Sequence, residues 1–252
     1  MKKEREKQIM EILLKEQKAT VKELAGRLYA SEPSIRRDLV RLEQLRVIRR
    51  IHGGAIINEE NMTELKIPFE LRELEQPDAK TVIAEKAAGL VRDGDVIMMD
   101  SSSSAYQVIP WLRFRKGITV VTNGVKALSA LGELGIKTFS TGGQLLPSCL
   151  SLVGDDAVKM LENVNADIMF FSCRGLSVEG KITDFSVEED LVRRKMLEQS
   201  KQKVLLVTGD KIGKTYFHNL CFISAVTKVI SENPLPPALA EMTGKGRREE
   251  RD

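Results

Sequence analysis

The sequence predicts an α/β domain built on a mostly parallel sheet, preceded by a small α+β domain of three helices and a hairpin. Three observations carry that expectation. Between residues 79 and 230, helix-like and strand-like segments alternate, the pattern of a sheet with helices packed on it. Several of the strand-like segments are apolar throughout, as strands buried on both faces are. Finally, the positive charge of the 252-residue chain lies at one end. Residues 1–57 hold 14 Lys/Arg against 8 Asp/Glu, while the rest hold 25 against 28. The whole-chain balance of +3 hides an asymmetry of the kind a small nucleic-acid-binding module produces.

Ile9, Ile12 and Leu13 place an apolar stripe on a first helix over residues 4–16. Thr20 followed three residues later by Glu23 is a capping-box pattern, so a second helix starts there and runs to about Tyr29. Ser31 can cap a third helix, with Pro33 tolerated in its first turn. On that helix Ile35, Leu39 and Leu42 form the inward face. Ser34, Arg37, Arg41 and Gln44 form a polar face, flanked by Arg36. Residues 47–51 and 55–57 read as two short strands turned at Gly53-Gly54, which places Arg49, Arg50 and His52 on a basic hairpin. Arginines on a helix face are, taken alone, a solvated face. The order of a helix, a capped short helix, an Arg-bearing helix and a basic hairpin points instead to a winged helix-turn-helix. In that unit Arg reads base edges in the major groove, and hydroxyls, helix termini and the wing take phosphates.

Residues 58–78 are polar and charged, with Pro68 and Pro77, and read as a connector in which Phe69, Leu71 and Leu74 seed a short helix. In the larger domain, helices are expected near 79–92, 105–115, 124–134, 151–164 and 186–200. Strands are expected at 96–100, 118–122, 137–140, 167–172, 204–208 and 226–230. Ligands of such folds bind at the carboxyl ends of the strands. Those ends carry Asp100-Ser101-Ser102-Ser103-Ser104, Thr122-Asn123-Gly124, Thr141-Gly142-Gly143-Gln144, Cys173-Arg174-Gly175 and Gly209-Asp210-Lys211. A hydroxyl-rich turn entering a helix suits a phosphate, although an ordinary serine-rich cap has the same composition. Residues 231–252 read as a flexible charged tail.

Ser31-Glu32-Pro33-Ser34-Ile35-Arg36-Arg37-Asp38-Leu39, followed by Arg50-Ile51-His52-Gly53-Gly54-Ala55, resembles the DeoR family of transcriptional regulators. Ser34 replaces the usual Thr, and Pro33 is unusual there. The resemblance continues over residues 79–230, through Val120-Val121-Thr122-Asn123, Gly142-Gly143 and Gly154. It implies a sugar-phosphate sensor domain similar to ribose-5-phosphate isomerase and CoA-transferase folds. The implied effector residues are Asp100, Ser101, Ser102, Ser103, Ser104, Asn123, Gly142, Gly143, Arg174, Gly175, Glu189, Arg193 and Lys211. The first loop departs from the family's Asp-x-Gly-Ser/Thr-Thr by lacking the glycine. Arg174 replaces a common acidic residue, Arg193 replaces Lys, and Thr208 replaces Asp. Either the two arginines add phosphate contacts, or these changes mark an altered ligand or a site that binds nothing.

The resemblance therefore implies a DNA-binding regulator, in the repressing mode, of carbohydrate metabolism genes. Its partners are a double-stranded operator and a phosphorylated sugar, and it acts as a homodimer or homotetramer because such modules read paired half-sites. An isomerase with an added DNA-binding module is the alternative. The isomerases' Asp-Gly-Ala-Asp-Glu stretch is here Cys173-Arg174-Gly175-Leu176-Ser177, which lacks a carboxylate for general-base work. No cofactor is implied, and two histidines argue against a metal site. Three unpaired-looking cysteines, a charged N-terminus and the lack of a long apolar run fit a soluble cytoplasmic protein.

Overall fold

A computed structural model describes residues 2–44, 47–57 and 68–244. The chain forms two compact units, Met1–Leu74 and Glu75–Asp252.

The first unit packs helices α1 (Lys2–Glu16), α2 (Val21–Arg27) and α3 (Glu32–Gln44) against a small antiparallel sheet. Strand β1 (Lys18–Thr20) lies beside β3 (Gly54–Ile57), which pairs on its other side with β2 (Ile48–Ile51). Thr20 and Glu23 form the reciprocal capping box, satisfying two otherwise unpaired helix-end donors. Gly54 allows the hairpin to close onto β1, since a Cβ there would stand 2.4 Å from the Ala19 carbonyl oxygen. Ile9, Leu13, Leu24, Ile35, Leu39 and Ile48 fill one core. The short helix seeded by Phe69, Leu71 and Leu74 is present as α4 (Phe69–Leu74), with Leu71 buried in that core. Residues 58–67 of the stretch read as a connector lie outside the described residues.

The second unit opens with α5 (Pro77–Ala88), β4 (Val96–Met99), the short helices α6 (Ser103–Tyr106) and α7 (Ile109–Leu112), β5 (Thr119–Thr122), α8 (Val125–Glu133) and β6 (Lys137–Ser140). It continues through β7 (Gln144–Leu146), β8 (Ser151–Val153), α9 (Asp155–Glu162), β9 (Ala166–Phe171), β10 (Gly175–Leu176) and β11 (Lys181–Asp184). The last elements are α10 (Val187–Glu198), β12 (Ser200–Leu206), β13 (His218–Phe222), β14 (Lys228–Ile230) and α11 (Pro237–Met242). The main sheet has the order β14-β12-β9-β4-β5-β6, and its neighbours pair in parallel. Ile97, Met99, Val120, Ile168, Phe170, Val204 and Leu206 point to one core with α5, and Met98, Val121, Met169, Phe171 and Leu205 point to a second. Both faces are therefore covered, which explains the unbroken apolar strands.

Four expectations change. The helix expected at 105–115 is two pieces, α6 and α7, because Pro110 enters the first turn of α7 and cannot donate to a preceding turn. The helix expected at 151–164 begins only at Asp155, and its first residues form β8, hairpinned to β7. A small antiparallel sheet, β10-β11-β13, stands where the sequence reading placed loops. Part of the expected tail is ordered as α11, which buries Leu239 in the second core. Residues 245–252 lie outside the described residues.

Asp38, 1% exposed, accepts two hydrogen bonds from the Arg5 guanidinium, at 2.5 and 3.2 Å, tying α1 to α3. That bond holds the Arg5 guanidinium above its ordinary pKa. An Asp38→Asn variant should lose a charge-assisted pair and destabilise the first unit by about 1–3 kcal/mol. Urea unfolding followed by circular dichroism reads this directly, and an unchanged midpoint would show that the pair does not set the position of α3.

Candidate functional sites

In the first unit, α3 turns Ile35, Leu39 and Leu42 inward and leaves Arg36, Arg37 and Arg41 exposed, with Ser34 half-buried. Ser31 does not cap a backbone N–H. Its carbonyl accepts from Ser34 and Ile35, and its hydroxyl pairs with that of Ser34 at 3.0 Å. Arg37 Nη2 donates to Ser34 Oγ at 3.3 Å, and Arg36 meets Glu32 at 3.5 Å. Arg41 approaches Glu6 at 3.7 Å. The contacts of Arg36 and Arg37 are exposed, and pairs of that kind are weak. On the hairpin, Arg50 is held by Glu43 through backbone and side chain at 3.0 and 2.7 Å. Arg49 and His52 are exposed. Helix and hairpin thus each leave basic side chains exposed.

In the second unit, all the expected effector loops follow parallel strands and so lie at one edge of the sheet. Strand β4 is first in the chain, yet β5 and β6 lie on one side of it and β9, β12 and β14 on the other. The chain direction across the sheet therefore reverses between β4 and β9, which opens a crevice beyond their carboxyl ends. Asp100 to Ser104 and Ser172 to Gly175 flank that point. Asp100 Oδ2 accepts from the Ser172 N–H at 3.2 Å, and Asp100 Oδ1 accepts from the Ser102 N–H at 3.1 Å and from its hydroxyl. Ser102 Oγ caps α6 by accepting from Ala105 N–H at 3.1 Å. Ser101 Oγ donates to Glu189 Oε1 at 2.8 Å. Asn123 Nδ2 donates to the Leu152 carbonyl at 3.1 Å, and Lys211 Nζ donates to Ser172 Oγ at 3.3 Å. Burial pulls the Lys211 ammonium below its ordinary pKa.

The two arginines behave differently from a pair of phosphate clamps. Arg193 is 5% exposed and is occupied by carboxylates: Asp184 at 2.7 Å, Asp190 at 3.2 Å and Asp100 at 3.8 Å, with the Ser172 carbonyl at 3.3 Å. His218 Nδ1 meets the other oxygen of Asp190 at 2.6 Å. Burial pushes Asp100 and Asp190 above the usual carboxylate range. At Asp184 burial is the largest single cause and acts in the same direction, but the Arg193 charge and hydrogen bond, with the Phe185 N–H and the Arg174 charge, together outweigh it and hold the group low. Arg174 leans toward Glu75 at 3.8 Å. Gly143, φ 96°, packs where a Cβ would stand 2.3 Å from the Val153 carbonyl, so its role is close packing onto β8, while Gly142 is exposed. Gly175 likewise packs against the Lys214 carbonyl.

Sequence reasoning missed Lys80, Asp184, Asp190 and His218. Lys80 is 1% exposed, and its Nζ donates to Ser103 Oγ at 3.1 Å. A lysine in the buried stripe of α5 is a readable signal, because an ammonium in a core requires a polar destination. Replacing Arg193 by Met should cost about 3–5 kcal/mol at neutral pH, since it strands buried carboxylates. The folded variant would then bind protons more tightly than the unfolded chain. Its deficit should accordingly shrink as pH falls toward about 5. Denaturation midpoints of the two proteins at several pH values test both the size and the sign.

Comparison with known proteins follows the same division of the chain. Residues 5–61 match the family model of the DeoR-like helix-turn-helix domain, and residues 75–233 match the DeoR C terminal sensor domain. An uncharacterized HTH-type transcriptional regulator of Bacillus subtilis, YulB, is 33% identical over 93% of this chain and 90% of its own. The L-fucose operon activator of Haemophilus influenzae is 31% identical over 93% of this chain and 94% of its own. The lactose phosphotransferase system repressor of Streptococcus mutans is 31% identical over 92% of each. Among solved structures, ribose 5-phosphate isomerase A of Methanocaldococcus jannaschii aligns at a TM-score of 0.41 and 18% identity over 55% of both chains. Among the described residues no helix is long and apolar enough to cross a membrane. With both family models matched in order and relatives similar along nearly the whole length, the chain belongs to the DeoR family of helix-turn-helix transcriptional regulators.

Proposed function

We propose that this chain is a sequence-specific DNA-binding regulator of carbohydrate metabolism genes, acting as a repressor under the control of a phosphorylated sugar. The observation that carries the proposal is the orientation of α3. Its apolar side is locked into the core while Arg36, Arg37 and Arg41 face outward, beside a hairpin bearing Arg49, Arg50 and His52. Arg37, near the start of the helix, is the base reader, because recognition helices meet base edges with their first turns. Ser31, Ser34 and the hairpin residues take phosphates and set the register. Relatives named for an L-fucose operon and a lactose phosphotransferase system support sugar use as the regulated process. The effector lies at the crevice between β4 and β9, contacted by the Asp100–Ser104 turn, Asn123, Arg174 and Lys211. Arg193 and Glu189 shape that floor rather than grip the ligand. The two glycines of the Gly142-Gly143 turn let its backbone approach. The protein acts as a homodimer or homotetramer, so that two recognition helices reach paired half-sites. The carboxylates at the crevice are bound by Arg193, His218 and serine hydroxyls, which supports sensing rather than catalysis.

Selection of purified protein against a random duplex pool should return a short, two-fold repeated site. Arg37→Ala should bind that site about 10- to 150-fold more weakly, the equivalent of about 1–3 kcal/mol for a bidentate base contact. Titration with aldose and ketose phosphates should weaken operator binding for at least one of them. A folded protein that returns no recurring site at low salt would overturn the reading.

A further inference from the structure

Besides Asp190 Oδ1, which meets the Arg193 guanidinium at 3.2 Å as an ion pair, three buried side-chain oxygens in the second unit have no hydrogen-bond partner: Ser104 Oγ, Asn123 Oδ1 and Ser151 Oγ. All three residues are at most 1% exposed. Buried polar atoms are nearly always paired, and leaving one unpaired costs the desolvation of the group. That three belong to adjoining segments at the ligand-binding edge of the sheet is therefore informative. Ser104 lies in α6, the short helix that follows β4, and Asn123 comes directly after the neighbouring strand β5. Ser151 begins β8, which the sequence reading had placed in a helix and never considered for the site.

The backbone brings these segments together. The Leu152 N–H donates to the Asn123 carbonyl at 2.7 Å, and Ser151 sits opposite Gly124 in an antiparallel bridge. Residues opposite one another project to the same face, and Gly124 has no side chain. The position a Cβ would take there lies 3.1 Å from the Cα of Ser101. Ser151 therefore faces the Ser101 turn across a glycine, beside the hydroxyl that Ser101 donates to Glu189.

Their chemistry selects the part of a ligand they meet. Asn123 uses its amide N–H on the Leu152 carbonyl, which fixes the side chain's orientation and leaves Oδ1 as a pure acceptor. An acceptor requires a donor, and a phosphate offers chiefly acceptor oxygens and negative charge. A sugar hydroxyl donates and accepts, so it satisfies Asn123 Oδ1 and either serine. We propose that Asn123, Ser151 and Ser104 form a hydroxyl-reading subsite, distinct from the phosphate contacts, by which the domain tells a sugar phosphate from other phosphorylated molecules. This rests on the effector reading above and assigns Ser151 as a specificity-determining residue.

The test uses the full-length chain and measures calorimetric binding of aldose phosphates, ketose phosphates, glycerol 3-phosphate and inorganic phosphate. The wild-type chain should bind at least one sugar phosphate more tightly than inorganic phosphate. Ser151→Ala should weaken that sugar phosphate at least tenfold and leave inorganic phosphate within twofold, and Ser104→Ala should weaken the same sugar phosphate at least tenfold. Because the hydroxyl removed is unpaired, Ser151→Ala should melt at the same temperature as the ligand-free wild type or higher, which a structural role would not allow. Sugar phosphate binding within twofold of wild type in both variants overturns the subsite and leaves the effector reading intact. Parallel loss of inorganic phosphate and sugar phosphate in Ser151→Ala overturns the separation of hydroxyl from phosphate contacts. A wild-type chain that binds none of the probes overturns the effector reading and this inference together.

Discussion

The second unit is organised around one buried cation. Arg193 gathers Asp184, Asp190 and Asp100 from β11, its own helix and the turn after β4, and it reaches the Ser172 carbonyl after β9. It therefore pins together the two loops that flank the reversal in strand order and the helix that covers one face. A charge in such a place is tolerable only because its neighbours supply the opposite charge at short range. The neighbours in turn are tolerable only because of it. Lys211 and Arg174 stand outside this cluster, Lys211 on the Ser172 hydroxyl and Arg174 beside Glu75.

The first unit solves a related problem more simply. Arg5 and Asp38 join α1 to α3 from positions 33 residues apart, so the buried acid in the middle of the Arg-rich helix aligns it. The adjacent Arg36 and Arg37 are exposed. A single helical repeat thus separates the buried residue that holds the helix from the exposed arginines.

Much of this was legible in the sequence because periodicity reports burial. Alternating segments and wholly apolar strands announced the doubly covered parallel sheet, and Thr20 with Glu23 announced a helix start. What stayed hidden depended on pairings distant in sequence. The β10-β11-β13 sheet consists of very short strands with little alternation, and β8 is three residues that continue into a helical pattern. The carboxylate neighbours of Arg193 stayed hidden because Asp100 is distant in the chain and Asp184 reaches it across the turn between β11 and α10. Lys80 went unread although its place in an apolar stripe was itself the signal. The site loops were found by a rule about strand ends. Their division of labour, with Gly143 packing onto β8 and Asp100 serving the turn and Arg193, is a matter of tertiary contact.

The same geometry bears on how a bound sugar could matter to DNA. A ligand shifts an equilibrium only by its difference in affinity between two states. The crevice is built from turns that are individually anchored: Asp100 to Ser172, Ser101 to Glu189, Asn123 to Leu152. Each anchor joins separate elements, namely β4 to β9, β4 to α10, and β5 to β8. A ligand that replaces or completes these bonds acts on the spacing of several elements at once, whereas one held by a single loop would not. The unpaired oxygens beside those anchors supply the free energy that such a ligand can recover. On the proposed reading, Asn123 is both an anchor between elements and a group that meets the sugar, so binding there bears directly on the spacing of β5 and β8.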